Sequence, residues 1–200
     1  MNTQELVQMA LDYGFDFAGP LDVTGLEVLQ DVRDACAQNT CGKYGASWAC
    51  PPAFGDLEES RKIIAKYKSG IIVQSMQELE DSFDFEGIAE LGERHGKNFK
   101  KLLKRLREDY PNLMALGTGG CSTCKKCTYP DEPCRFPDLL HHSLEGYGFL
   151  VNDLAKEANV KYNNGQNTVT YFGALLFNTE ETKTDKEGGL EDDPDCQLLR

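Results

Sequence analysis

The chain has 200 residues, 40% of them hydrophobic, and a formal charge of −12, which is enough apolar material for one full core and the wrong sign for gripping nucleic acid or anionic lipid. No stretch is long and apolar enough to span a bilayer, and Met1 to Gly14 lacks the basic start and unbroken apolar run of a secretory leader, so a cytoplasmic protein without nucleic-acid or membrane partners is expected. In a reducing cytosol its eight cysteines are better explained as ligands than as disulfides.

Asn2 with Glu5 forms a capping pair, and Leu6, Ala10 and Tyr13 share a helical face, predicting a short opening helix closed by Gly14. Phe15 to Leu21 reads as a first strand, with Phe15 and Phe17 on one side and Pro20 at the exit. A helix capped by Thr24 is expected to run to about Ala37 with Leu26, Leu29 and Val32 inward.

The stretch Cys36 to Pro52 reads C-A-Q-N-T-C-G-K-Y-G-A-S-W-A-C-P-P. Cys36, Cys41 and Cys50 are too widely spaced for a knuckle, yet Gly42 and Gly45 let the backbone coil tightly, and Cys50-Pro51 repeats the Cys-Pro ending of ferredoxin motifs. Two readings stand here, a second metal site or three buried thiols beside a turn. Trp48, the single tryptophan, either shields such a site or anchors the core.

Asp56 caps a helix to about Lys68, and Ile71-Ile72-Val73 predicts a central strand. A polar connection from Gln77 to Asp84 leads into the longest helix, where Ile88, Leu91, Phe99, Leu102, Leu103 and Leu106 recur at helical spacing. Lys97, Lys100, Lys101, Lys104, Arg105 and Arg107 fill its outer face, either merely solvated or serving as a docking patch for an acidic partner. Pro111 ends the helix, and Leu113 to Leu116 makes a strand.

Gly117-Thr118-Gly119-Gly120 follows without the Gly-Lys-Ser/Thr of a phosphate loop. It is either a plain turn or a place where backbone N–H groups approach cluster sulfurs. Next comes C-S-T-C-K-K-C-T-Y-P-D-E-P-C-R-F-P, with Cys121, Cys124 and Cys127 at even spacing and Cys134 after six more residues. Evenly spaced thiolates suit three corners of an iron–sulfur cube, with the remote cysteine closing the cage, so a [4Fe–4S] site is expected. The alternative is zinc, although structural zinc is usually pinched between two separate knuckles. Arg135 either neutralises thiolate charge or faces solvent, and the adjacent His141 and His142 are expected at the surface.

Ser143 with Gly146, and Leu144, Phe149, Leu150 and Leu154, predict a helix to about Ala158. Asn163-Asn164-Gly165 is a turn, and Thr168 to Phe177 is the last and longest strand. From Asn178 the composition turns acidic, predicting a solvated tail that includes Cys196. The expected organisation is therefore a single α/β domain over 1–178, with a small mixed sheet flanked by helices and the cysteine loops at one end, and a flexible tail over 179–200.

The pairing of C-G-K-Y-G-A-S-W-A-C-P-P with C-x2-C-x2-C-x6-C-R-F-P, followed by S-L-E-G-Y-G-F-L-V-N-D-L-A, resembles a family of unknown function described as predicted metal-binding proteins, found largely in anaerobic bacteria and archaea. The resemblance covers Cys36 to about Phe177 and implies metal binding, with Cys36, Cys41 and Cys50 as ligands in the first motif and Cys121, Cys124, Cys127 and Cys134 in the second. Three functions are compatible with these residues: one-electron transfer with a redox partner protein, an enzyme whose three-cysteine cluster leaves an iron open to substrate, or a zinc-stapled interaction protein.

Overall fold

A computed structural model describes residues 1–178, and the expected acidic tail with Cys196 lies outside the described residues. Five strands form one mixed sheet in the order β1-β2-β5-β3-β4, namely β1 Phe17–Asp22, β2 Ser69–Glu78, β3 Met114–Gly117, β4 His142–Ser143 and β5 Thr168–Phe177. The central pairings β1/β2, β2/β5 and β3/β5 are antiparallel, and β3/β4 is parallel. A single row of partners, Gly19, Ile72, Ala174, Leu116 and His142, crosses all five strands.

Alternation along the strands splits the apolar residues between two faces. On one face Ile71, Val73, Leu175 and Phe177 pack with Leu6 and Ala10 of α1 (Thr3–Asp12) and with Phe99, Leu102, Leu103 and Leu106 of α4 (Phe85–Asp109). On the other, Ile72, Leu116, Ala174 and Leu176 meet Ile64 of α3 (Leu57–Ile64), Leu154 and Ala155 of α5 (Val151–Glu157), and Phe54, Leu144 and Tyr147 from the connections. The α/β class and the mixed sheet thus hold, and capping boxes at Asn2/Glu5 and Asp56/Glu59 start α1 and α3 as their side chains require.

Several boundaries differ, each for a local reason. Thr24 does not cap a long helix, because Asp22 accepts both its N–H and its hydroxyl (2.9 and 2.6 Å) and turns Val23–Gly25 into one 3-10 turn. The helix begins only at α2 (Gln30–Ala37). Pro20 lies inside β1 rather than at its exit, tolerated because β1 is an edge strand. Phe15 is buried ahead of that strand while Phe17 is exposed, so the two do not share a side. The polar start of the 77–84 connection is strand, since Gln77 and Glu78 pair with Val169 and Thr168. Ser143 to Leu150 is strand end and tight turn instead of helix, with the Ser143 hydroxyl accepting the Gly146 N–H at 2.7 Å, so only Val151–Glu157 is helical.

His141 and His142 are buried, not at the surface, each 8% exposed. Being consecutive at the start of β4, they point to opposite faces. His141 lies edge-on to Phe99 of α4, and His142 edge-on to Phe54 and tilted against Tyr147. This β3–β4 edge positions the cysteine segments, because the second departs from the end of β3 and returns into β4, while the first is tied to β4 by the Ser143 N–H donating to the Ala49 carbonyl at 2.8 Å.

Candidate metal centre

Cys36 sits in the last turn of α2. Beyond it Asn39 takes a positive φ of 55°, and its side-chain oxygen accepts the Tyr44 N–H at 3.0 Å, so the chain doubles back. Gly45, at φ 68°, then donates its N–H to the Pro51 carbonyl at 2.7 Å and closes the loop, returning Cys50 toward Cys36. Cys50 is buried, Cys36 half-buried and Cys41 exposed.

These three thiols form one electrostatic neighbourhood. Burial pushes the Cys50 thiol up to about 12, and Cys36, Cys41 and Glu145 push the same way. Burial also raises Cys36, with Cys41 and Glu145 adding to it and the Arg33 guanidinium and a hydrogen bond with Ser143 opposing it. Glu145, from the turn after β4, is the carboxylate of this group. Burial holds it above the usual range, against hydrogen bonds from its own N–H and that of Gly119. Arg33, itself buried, donates to the carbonyls of Gly146 and Gly55 and lies over the Phe54 ring, clamping the 145–147 turn beside Cys36.

Cys121, Cys124, Cys127 and Cys134 make a second neighbourhood. Burial raises the Cys134 thiol, and the other three cysteines add to that while the Phe136 N–H lowers it. At Cys127 burial is outweighed by donors aimed at the sulfur: the N–H groups of Tyr129, Trp48 and Thr128 and the Ser47 hydroxyl bring the thiol below its ordinary value. Arg135 donates to the Lys126 carbonyl and so braces its own loop.

The two neighbourhoods touch. A Cβ built on Gly120, next to Cys121, would lie 2.9 Å from the Cys50 sulfur. Trp48, between Ser47 and Cys50, donates its indole N–H to the Glu132 carbonyl (3.0 Å) and stands edge-on to Tyr129 at 4.9 Å. It therefore ties one cysteine segment to the other and is only half-buried, unlike a core anchor. Beneath them lie the buried rings of His141, whose Nδ1 is 3.3 Å from the Leu139 carbonyl, and of His142, whose Nδ1 has no hydrogen-bond partner among the described residues. Burial lowers both imidazoles, His142 to about 4.

A family model described as "Predicted metal-binding protein (DUF2284)" matches residues 20–177. The chain belongs to this family. No curated protein and no solved structure matches it. For a DUF2284 member the donor chemistry is apt, since thiolates gathered in two groups with N–H groups directed at sulfur suit a soft, thiophilic metal. Among the described residues no three His, Cys, Asp or Glu side chains are arranged to grip a single ion. The sequence reading missed Glu145, Ser143, Ser47 and Arg33. Glu145 lies within the S-L-E-G-Y-G run, but nothing in its spacing ties it to Cys36, and its partners appear only once the turn after β4 folds against the first loop.

Proposed function

We propose that this protein binds iron–sulfur clusters and moves single electrons to a partner protein in anaerobic metabolism. Cys121, Cys124, Cys127 and Cys134 hold a [4Fe–4S] cluster in this reading, and Cys36, Cys41 and Cys50 are ligands of a second centre. The observation that carries it is the contact between the two cysteine segments: a Cβ on Gly120, next to Cys121, would lie 2.9 Å from the Cys50 sulfur, and Trp48 of the first segment donates its indole N–H to the Glu132 carbonyl of the second at 3.0 Å. Donors from both segments also lower the Cys127 thiol against its burial. Such bonds stabilise negative charge on thiolates and raise a reduction potential. When bound, the cluster supplies one-electron exchange. The protein's own residues set where that happens. Trp48 and Tyr129 pack edge-on where the two segments meet, the buried histidines lie beneath the loops, and the lysines of α4 offer a partner surface nearby.

Anaerobically purified protein should be brown and contain about four to eight irons with matching acid-labile sulfide. Cys50→Ser should remove one spin-resonance signal of the reduced protein and spare the other. A colourless native preparation holding only zinc would overturn the redox reading in favour of a structural zinc protein.

A further inference from the structure

A recess of about 350 Å³ lies between the end of β3, the turn after β4 and the stretch that leads into β5. None of the seven described cysteines borders it, so its chemistry is separate from the candidate metal centre. The volume is at the lower end for a small-molecule site, which suits a compact ligand.

The polar wall of this recess is biased towards acceptors, because several of its donors are already spent inside the protein. The Thr118 hydroxyl donates to the Phe172 carbonyl at 3.2 Å, and the Thr168 hydroxyl to the Gly165 carbonyl at 2.8 Å. The side-chain amide of Asn164 uses its N–H donors on Gln74 Oε1 and Thr170 Oγ1, at 3.4 and 3.3 Å, which leaves its Oδ1 to accept. The half-buried Glu145 carboxylate borders the same space, and no ion pair among the described residues involves it. No lysine, arginine or histidine lines the recess. Rings complete the wall: Tyr162 and Phe172 stack at 13° with centroids 5.8 Å apart, and both border the space.

We propose that this recess binds a small organic cation, a primary ammonium or guanidinium compound, with Glu145 as its counter-charge, Asn164 Oδ1 as a second acceptor and Tyr162 as an aromatic wall. Such a head group offers only donors, which matches a lining whose donors at 118, 164 and 168 are taken. Its charge is drawn to the carboxylate by charge-assisted hydrogen bonds and to the ring by the quadrupole of the aromatic face. An anion would meet Glu145 with nothing to hold it. A neutral polyol could fill the space but would leave the carboxylate without a counter-charge.

The test is calorimetric titration of anaerobically prepared full-length protein with agmatine, which carries both head groups, and with glycerol as the neutral probe, at 0.15 M salt to screen diffuse attraction to an acidic chain. Agmatine should bind wild type and glycerol should not. E145Q should weaken agmatine binding at least about ten-fold, and Y162L, at a half-exposed position, about three-fold. N163D keeps the oxygen that accepts the Gly165 N–H at 2.9 Å and adds a charge to the wall, so it should bind agmatine more tightly, a gain that misfolding does not produce. E157Q, which removes an exposed charge at the end of α5, should bind as wild type does. Equal agmatine affinity in wild type, E145Q and N163D overturns the proposal. Glycerol binding as tight as that of agmatine, or a loss in E157Q as large as in E145Q, overturns it as well.

Discussion

The Cys50 sulfur rests against Gly120, 2.9 Å from the point a Cβ there would occupy, so the two cysteine segments are in contact at a place where only glycine fits. Gly119 and Gly120 both have positive φ, 75° and 81°, but a Cβ on Gly119 would meet nothing within 4 Å. Gly119→Ala therefore carries only the left-handed penalty, about 1 kcal/mol, while Gly120→Ala adds a steric conflict that costs roughly 1–3 kcal/mol more. Urea midpoints of the pair should differ by that amount, and only Gly120→Ala should lower metal content. Equal midpoints and equal metal content would mean the segments are not in contact.

Arg33 is the main fastener of the first segment. It is 7% exposed, donates to two loop carbonyls, and its guanidinium carbon lies 5.4 Å from the Phe54 centroid. Arg33→Ala strands the Gly146 and Gly55 carbonyls and should cost on the order of 3 kcal/mol in urea unfolding. Arg33→Lys keeps the charge but cannot span both oxygens, so it should recover only part of that loss. Because the guanidinium lowers the Cys36 thiol against its burial, Arg33→Ala in metal-free protein should also slow alkylation at Cys36, read by peptide mapping.

These fasteners explain what could and could not be read from the chain. The Leu91–Leu106 stripe of α4 and the 168–177 strand were legible because their periodicity is local and long. The Asn2/Glu5 capping pair and the Asp56 cap were legible because they too are local, whereas Glu59's part in the second box appears only in the structure. Thr24 misled because a neighbouring aspartate competes for the same donors, which residue type alone does not reveal. The histidine pair reads as surface from composition and becomes core only because β4 is laid between α4 on one side and the Phe54 loop on the other. The cysteines announce themselves by spacing, but the carboxylate beside them is brought in by a turn remote in sequence.

Acid should loosen the α4 side of the sheet through His95. This residue is 9% exposed, with Nδ1 2.9 Å from the Ser75 hydroxyl and with Phe15, Phe99 and Tyr171 around its ring. Burial, aided by His141 and Arg94 and opposed by Asp16, lowers it from 6.5 to about 4. A histidine whose folded value is depressed contributes stability that is present above pH 6.5 and is lost as pH falls toward 4, because the unfolded chain binds the proton first. Between pH 7 and pH 5 the loss from this one group is about 2 kcal/mol. His95→Gln can keep a bond to Ser75 and does not titrate, so its urea midpoint should fall less than that of wild type over the same interval. Parallel losses in the two proteins would show that His95 is not buried neutral.

The remaining prediction concerns where a partner would bind. Arg94 and Arg105 are engaged by Asp16 and Asp109, at 3.2 and 2.8 Å, whereas no ion pair among the described residues involves Lys97, Lys100, Lys101 or Lys104. This positive strip on a chain of net charge −12 runs beside the second cysteine segment, since a Cβ on Gly96 would lie 3.9 Å from the Ser122 hydroxyl and the Lys100 charge is felt at His141. In the electron-transfer reading, charges left unpaired beside this segment steer an oppositely charged protein toward it. With an acidic ferredoxin as donor, the wild-type reduction rate should fall as salt rises, because the Debye length shrinks to about 10 Å at 0.1 M. The variant with Lys97, Lys100, Lys101 and Lys104 all changed to Glu should keep its metal, react at least about ten-fold more slowly at low salt, and speed up rather than slow down as salt is added. That reversal separates steering from mere damage to the helix, since a misfolded α4 would lower the rate at every ionic strength.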